Sequence, residues 1–86
     1  MTEQQMLELV RSLTRANRWE VDRHHGQTRM QQRGVSFADV EHALLNATQC
    51  RIQENGRWKL VSCDLDADDL TLIAVVDDEV LIITLF

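Results

Sequence analysis

Eighty-six residues with no proline, three glycines and a hydrophobic share of 44% have room for one domain and little disordered linker. The longest apolar runs, 70–76 and 80–86, are far shorter than the roughly 20 residues of a membrane-spanning helix, and the opening Met1-Thr2-Glu3-Gln4-Gln5 is too polar for a secretory signal. A cytoplasmic protein with no membrane contact is therefore expected, with a net charge of −5 that disfavours non-specific binding to nucleic acid.

The charge is unevenly placed. Residues 1–46 carry six Arg and six Asp or Glu and are neutral, whereas residues 47–86 carry three basic and eight acidic residues and hold the whole −5. All six arginines of the first half lie within 11–33, against only Glu20 and Asp22, so a local basic strip able to meet phosphates sits on an acidic chain. Cys50 and Cys63 read as small buried thiols of a reducing compartment, although neighbouring strands could bring them into a disulfide.

In chain order, Thr2 and Gln5 fit a capping box, and Met6, Leu9, Val10 and Leu13 recur at helical spacing, predicting a helix over 1–17. Trp19 and Val21 alternate in a short edge strand, 18–21. Asp22 is placed to cap a helix over 23–32 that Gly34 would end. Ser36 caps the next helix with Asp39 at its third position, Val35 and Val40 form a hydrophobic staple, and Phe37, Val40, Ala43 and Leu44 form its buried stripe, with Asn46 closing it. The period then turns strand-like. Residues 48–54 and 57–65 flank Asn55-Gly56, a type I′ hairpin signal. Asp66-Ala67-Asp68-Asp69 makes the next turn. Residues 70–76 are apolar on both faces, which predicts an interior strand covered on two sides. Asp77-Asp78-Glu79 turns the chain into a last strand, 80–86. The fold class is α+β: N-terminal helices packed on a four- to five-stranded antiparallel sheet whose last four strands pair as a meander.

The stretch with chemistry in it is His24 to Ser36. His25, Arg29 and Arg33 stand at i, i+4 and i+8, within about 80° of one another on a helix. An imidazole exchanges protons near neutral pH, and guanidinium groups hold phosphate oxygens in pairs, so one His beside two Arg is a workable set for binding or cleaving a phosphodiester. A solvated Arg face with a packed capping His accounts for the same spacing. His24 and His42 form no metal signature with His25, and no Cys-x2-Cys occurs, so neither metal nor cofactor is expected. Asp64, Asp66, Asp68 and Asp69 lack the glycine and distal Glu of an EF-hand and read as a solvated turn. Trp58, between Arg57 and Lys59, either stacks a base or, as its strand favours, faces the core. Thr84 interrupts an apolar strand and needs a hydrogen-bond partner if buried.

The run His25-x3-Arg29-Met30-x2-Arg33-Gly34-Val35-Ser36, then Asp39-Val40 and Ala43-Leu44, and the closing Val80-Leu81-Ile82-Ile83-Thr84-Leu85-Phe86 resemble the small bacterial family called domain of unknown function 4258 over about residues 20–86. That family is similar in layout to RelE/ParE and BrnT-type toxins, which implies a RelE/BrnT-like fold and, for some members, ribonuclease-type or translation-directed toxicity. The resemblance implies a metal-independent ribonuclease in which His25, Arg29 and Arg33 act on RNA and Arg29, Arg33 and Thr84 hold it, with RNA or the ribosome and a cognate antitoxin as partners. Three features depart from the pattern. Gly26 stands where the family usually has Ala, the chain contains no Tyr to serve as acid or base, and RelE-type ribonucleases are usually basic. The alternative from the same residues is a non-enzymatic protein-interaction module, immunity-like or regulatory, on the same fold.

Overall fold

A computed structural model describes residues 1–86. Helix α1 (Glu3–Arg15) opens on the expected capping box: the Thr2 hydroxyl accepts from the Gln5 N–H, and the Gln5 side chain accepts from the Thr2 N–H. Met6, Leu7 and Val10 turn inward, with Leu9 and Leu13 packed beside them. Strand β1 (Trp19–Val21) follows. No helix is long and apolar enough to cross a membrane.

Helix α2 (Gly26–Arg33) starts later than the sequence predicts, because residues 23–25 form a turn. Its cause is local. The Asp22 carboxylate accepts the His25 N–H at 2.8 Å, the bond expected of a cap at this position, but the Asp22 carbonyl accepts from Gln27, five residues on, so the first turn is wider than α-helical and regular helix begins at Gly26. Gly34 ends α2 in left-handed backbone (φ 66), with the Val35 N–H reaching back to the Met30 carbonyl. Ser36 and Asp39 form the capping box of α3 (Phe37–Asn46) as predicted, and Val35 and Val40 are both buried. Phe37 leaves the predicted stripe. Val40, Ala43 and Leu44 are fully buried, but Phe37 is 53% exposed. At the first helical residue it meets Trp19 of the short strand, ring centroids 6.4 Å apart, instead of the core.

Strands β2 (Gln49–Ile52), β3 (Trp58–Cys63), β4 (Asp69–Val76) and β5 (Val80–Leu85) form the expected antiparallel meander, in the order β1-β5-β4-β3-β2. The sheet is mixed, not wholly antiparallel, because β1 fills the outer edge of β5 in parallel. The first predicted turn changes type. Asn55-Gly56 is not a two-residue type I′ turn, which needs positive φ at both residues, since only Gly56 has it (φ 79). Gln53 N–H reaches the Arg57 carbonyl and Gly56 N–H the Gln53 carbonyl, a three-residue loop ending in a left-handed residue. The next hairpin repeats this design from Asp64 to Asp68, with Ala67 as the left-handed residue (φ 65). Its acidic character is local too: the Asp64 carboxylate accepts the Asp66 and Asp68 N–H groups.

The core lies between the helices and one face of this sheet. Cys50, Leu60, Leu72 and Leu85 stand side by side across four strands, all 0% exposed. Trp58 packs against the same core, as its strand favoured. Strand β4 is interior, between β3 and β5, but it is covered on one face only. Leu70, Leu72 and Ala74 are buried, while Thr71 and Ile73 are half-buried and Val75 is 40% exposed. The expected cover on two sides is absent because α1, α2 and α3 share one face. Between Ile73 and Ala74 the β4–β5 register slips, so Ile83 and Thr84 both fall between the core-facing Ile82 and Leu85.

Candidate functional site

Three structural features place the site. The N-terminal turn of α2 presses onto β5 through Gly26, where a Cβ would stand 2.5 Å from Val21 Cγ1 and 3.1 Å from the Ile82 carbonyl oxygen. Strand β1 pairs only with Val80, Leu81 and Ile82, which leaves the outer edge of β5 beyond them to α2. The bulge brings Thr84 to that edge.

The result is a polar hollow of about 390 Å³ lined by His24, His25, Thr28, Arg29, Gln32 and Thr84, none of them hydrophobic. Arg29 Nε donates to the Leu85 carbonyl at 3.2 Å, which fixes the guanidinium at the hollow and leaves its Nη groups for a ligand. His25 occupies the cap position of α2 in helical backbone, and its exposed side chain makes no capping bond. Of the residues singled out from the sequence, His25, Arg29 and Thr84 line one hollow. Arg33 does not line it; its Nη2 donates to the Asp69 carbonyl at 3.4 Å, a turn farther along. Both arginines thus also fasten α2 to sheet backbone.

His24, Thr28 and Gln32 were not anticipated. Positions 25, 28, 29 and 32 make an i, i+3, i+4, i+7 stripe, so a full helical stripe in place of the i+4 series would have found Thr28 and Gln32. His24 had no such signal, because it sits in the turn and not on the helix. Thr28 donates its hydroxyl to the His24 carbonyl at 2.7 Å, which ties the turn to the stripe. Asp22 stands behind the turn, its carboxyl held below the usual carboxylate range chiefly by the His25 backbone N–H.

A larger hollow of about 610 Å³ runs beside β1, lined by Trp19, Asp22, Gln27 and Phe37 among others. The Trp19 indole N–H is buried without a partner. That hollow holds neither His25 nor Arg29; Arg23 lines it, and His24 lines both hollows. Both cysteines are free thiols. Burial pushes the Cys50 thiol up to about 11, and Cys63 Sγ is 4.0 Å from His42 Nε2 at the far end of the sheet.

No curated protein and no solved structure matches this chain. The model of one family, described as Domain of unknown function (DUF4258), matches residues 23–86, from the turn ahead of α2 through the last strand, and the chain belongs to that family.

Proposed function

We propose that the hollow between α2 and β5 binds a phosphodiester of RNA and that the protein is a ribonuclease of the toxin type. One observation carries this reading: an imidazole and a guanidinium share a hollow lined wholly by polar side chains, with Arg29 already oriented by its bond to the Leu85 carbonyl. In this reading Arg29 holds the pair of non-bridging phosphate oxygens, the Thr84 hydroxyl donates to one of them, Thr28 steadies the turn through its bond to the His24 carbonyl, and His25 takes or gives the proton. Arg33 steers the strand from one turn away. Helices stacked on one face of a sheet that ends in a hairpin support the likeness to RelE/ParE and BrnT-type toxins. The acidic remainder of the chain keeps affinity for bulk RNA low, so recognition rests on a partner such as the ribosome, with a cognate antitoxin to hold the activity in check.

The test is an RNA cleavage assay, alone and with ribosomes, on the wild type and the single variants His24→Ala, His25→Ala and His42→Ala. The expected loss is about 10²–10⁴-fold for His25→Ala and little for His42→Ala, since a positioned acid or base contributes that much. Arg29→Ala should weaken RNA binding more than Arg33→Ala, because only Arg29 lines the hollow. Equal cleavage by all four proteins would make His25 structural and remove the reading.

A further inference from the structure

The hollow between α2 and β5 contains a second imidazole: His24 lines it beside His25. The turn that carries both is held by their backbone atoms. The His25 N–H goes to the Asp22 carboxylate, the His24 carbonyl accepts from the Thr28 hydroxyl, and the His25 carbonyl accepts from the Arg29 N–H. Both side chains are exposed, and neither ring is used to build the turn. His42 differs, because its ring meets Asn46 Nδ2 at 3.4 Å and Cys63 Sγ at 4.0 Å. Breaking a phosphodiester by in-line displacement needs two proton transfers on opposite sides of phosphorus, one from the attacking hydroxyl and one to the departing oxygen. A single imidazole cannot stand at both. The other residues of the hollow, Thr28, Arg29, Gln32 and Thr84, bring no carboxylate, amine or phenol, so nothing else there exchanges protons near neutral pH. Asp22, behind the turn, lines the other hollow, and the His25 N–H holds it below the usual carboxylate range, which makes it a weak base.

Building on the ribonuclease reading of this hollow, we propose that His24 is its second proton carrier, so that the adjacent imidazoles of His24 and His25 serve as base and acid in an internal transesterification of RNA. One imidazole takes the proton of a ribose 2′-hydroxyl, whose oxygen attacks the neighbouring phosphorus as the P–O5′ bond breaks. The other, as imidazolium, gives its proton to the departing 5′-oxygen. The products are a 2′,3′-cyclic phosphate and a 5′-hydroxyl; one proton is taken, one is given and no water is consumed. Arg29 meets the charge that builds on the non-bridging oxygens. The attacking oxygen must lie in line with the P–O5′ bond, which the regular backbone of a duplex prevents, so the substrate class is single-stranded RNA.

Because the turn uses only backbone atoms of these two residues, His24→Ala and His25→Ala should both fold, which far-UV circular dichroism checks; His24→Gln takes the place of an alanine variant that does not. Cleavage of single-stranded RNA, alone and with ribosomes, should fall about 10²–10⁴-fold in each. Mass spectrometry of the wild-type products should find the cyclic phosphate, and an RNA with deoxyribose at the cleaved position should stay intact. The two roles separate on an RNA whose departing 5′-oxygen at that position is replaced by sulfur. A thiol, with a pKa of about 8.5, is far more acidic than an alcohol, so the thiolate leaves without a proton. One variant, the one lacking the acid, should then regain the wild-type rate, and the other should not. His24→Ala cleaving ordinary RNA as the wild type does overturns the part given to His24 and leaves the ribonuclease reading in place. So does sulfur that rescues neither variant or both, and 5′-phosphate ends overturn the transesterification. A wild type that cleaves no RNA, alone or with ribosomes, removes the ribonuclease reading and the part of His24 with it.

Discussion

Alternate residues of one strand meet opposite fates in this molecule. On β4, Leu70, Leu72 and Ala74 are at most 1% exposed, while Val75, as apolar as they are, is 40% exposed and Ile73 is half-buried. Both faces of the sheet carry β-branched and aliphatic side chains, and only the supply of helices separates them. Three amphipathic helices suffice for one face of five strands. Hydrophobicity marks what a strand tolerates being buried against; which face the chain itself buries is set by where its helices go.

The sharpest way to break this comparison is to truncate one side chain on each face. Leu72→Ala removes a side chain from the fully buried row that also holds Cys50, Leu60 and Leu85. It should cost about 2–5 kcal/mol in a denaturant titration, as buried Leu truncations do. Val75→Ala in dilute solution should cost about 0.5 kcal/mol or less, as surface changes do. Equal losses at high dilution would mean that the open face is covered within a single chain after all.

A smaller effect probes how closely the cover sits. Gly26→Ala gains up to about 1 kcal/mol of helix propensity. Its Cβ, however, would stand 2.5 Å from Val21 Cγ1 and 3.1 Å from the Ile82 carbonyl oxygen. Overpacking of this kind costs about 1–3 kcal/mol, so the expected net change is a loss, read as a lower melting temperature. The hollow should also open, since α2 must lift from β5, and phosphate should shift the NMR signals around Arg29 less than in the wild type. A gain in stability would show that α2 rides loosely on the sheet and that the tight contact is not what positions Arg29.

What the sequence disclosed and what it withheld divide along the same physical line. The capping boxes at Thr2 and Ser36, the Gly34 stop and the Val35–Val40 staple are interactions between residues at most five apart, so a local pattern suffices to find them. The parallel seat of β1 is a pairing across about sixty residues, and no local pattern carries it. The Asp22 side chain makes the expected capping bond to the His25 N–H, and the delayed start of α2 lies in the Asp22 carbonyl, which accepts from Gln27 five residues on and widens the first turn. Gly56 signalled a turn but not the number of residues in it, and Ala67, lacking any such signal, takes the left-handed position of the matching turn. For the site, the spacing of His25 and Arg29 was legible because His25, at the cap position in helical backbone, continues the spiral of α2 that carries Arg29. Thr84 reaches them only through the slipped register of β4 and β5, and Arg33 drifts away because its guanidinium finds the Asp69 carbonyl.

The smallest expected effect concerns the fastening of the covering helix α3, and it depends on pH. Asp39 accepts from the Ser36 N–H and hydroxyl at the helix start, and its second oxygen accepts the Leu65 N–H from the β3–β4 loop at 3.1 Å. The Ser36 backbone bond is the chief cause that holds this carboxyl below its ordinary value of 3.8, and the Leu65 bond adds to it. A carboxyl depressed in the folded state stabilises that state above the unfolded value and loses the contribution as pH falls through the folded one. Asp39→Asn keeps the shape but removes the charge and one acceptor. Its melting temperature should therefore lie below that of the wild type at neutral pH, and the gap should narrow as pH drops below about 4. Asp22, depressed by the His25 N–H, should add a parallel acid-side loss in both proteins without changing the gap. A gap that stays constant from neutral pH to below 3.8 would show that the Asp39 bonds do not depend on its charge.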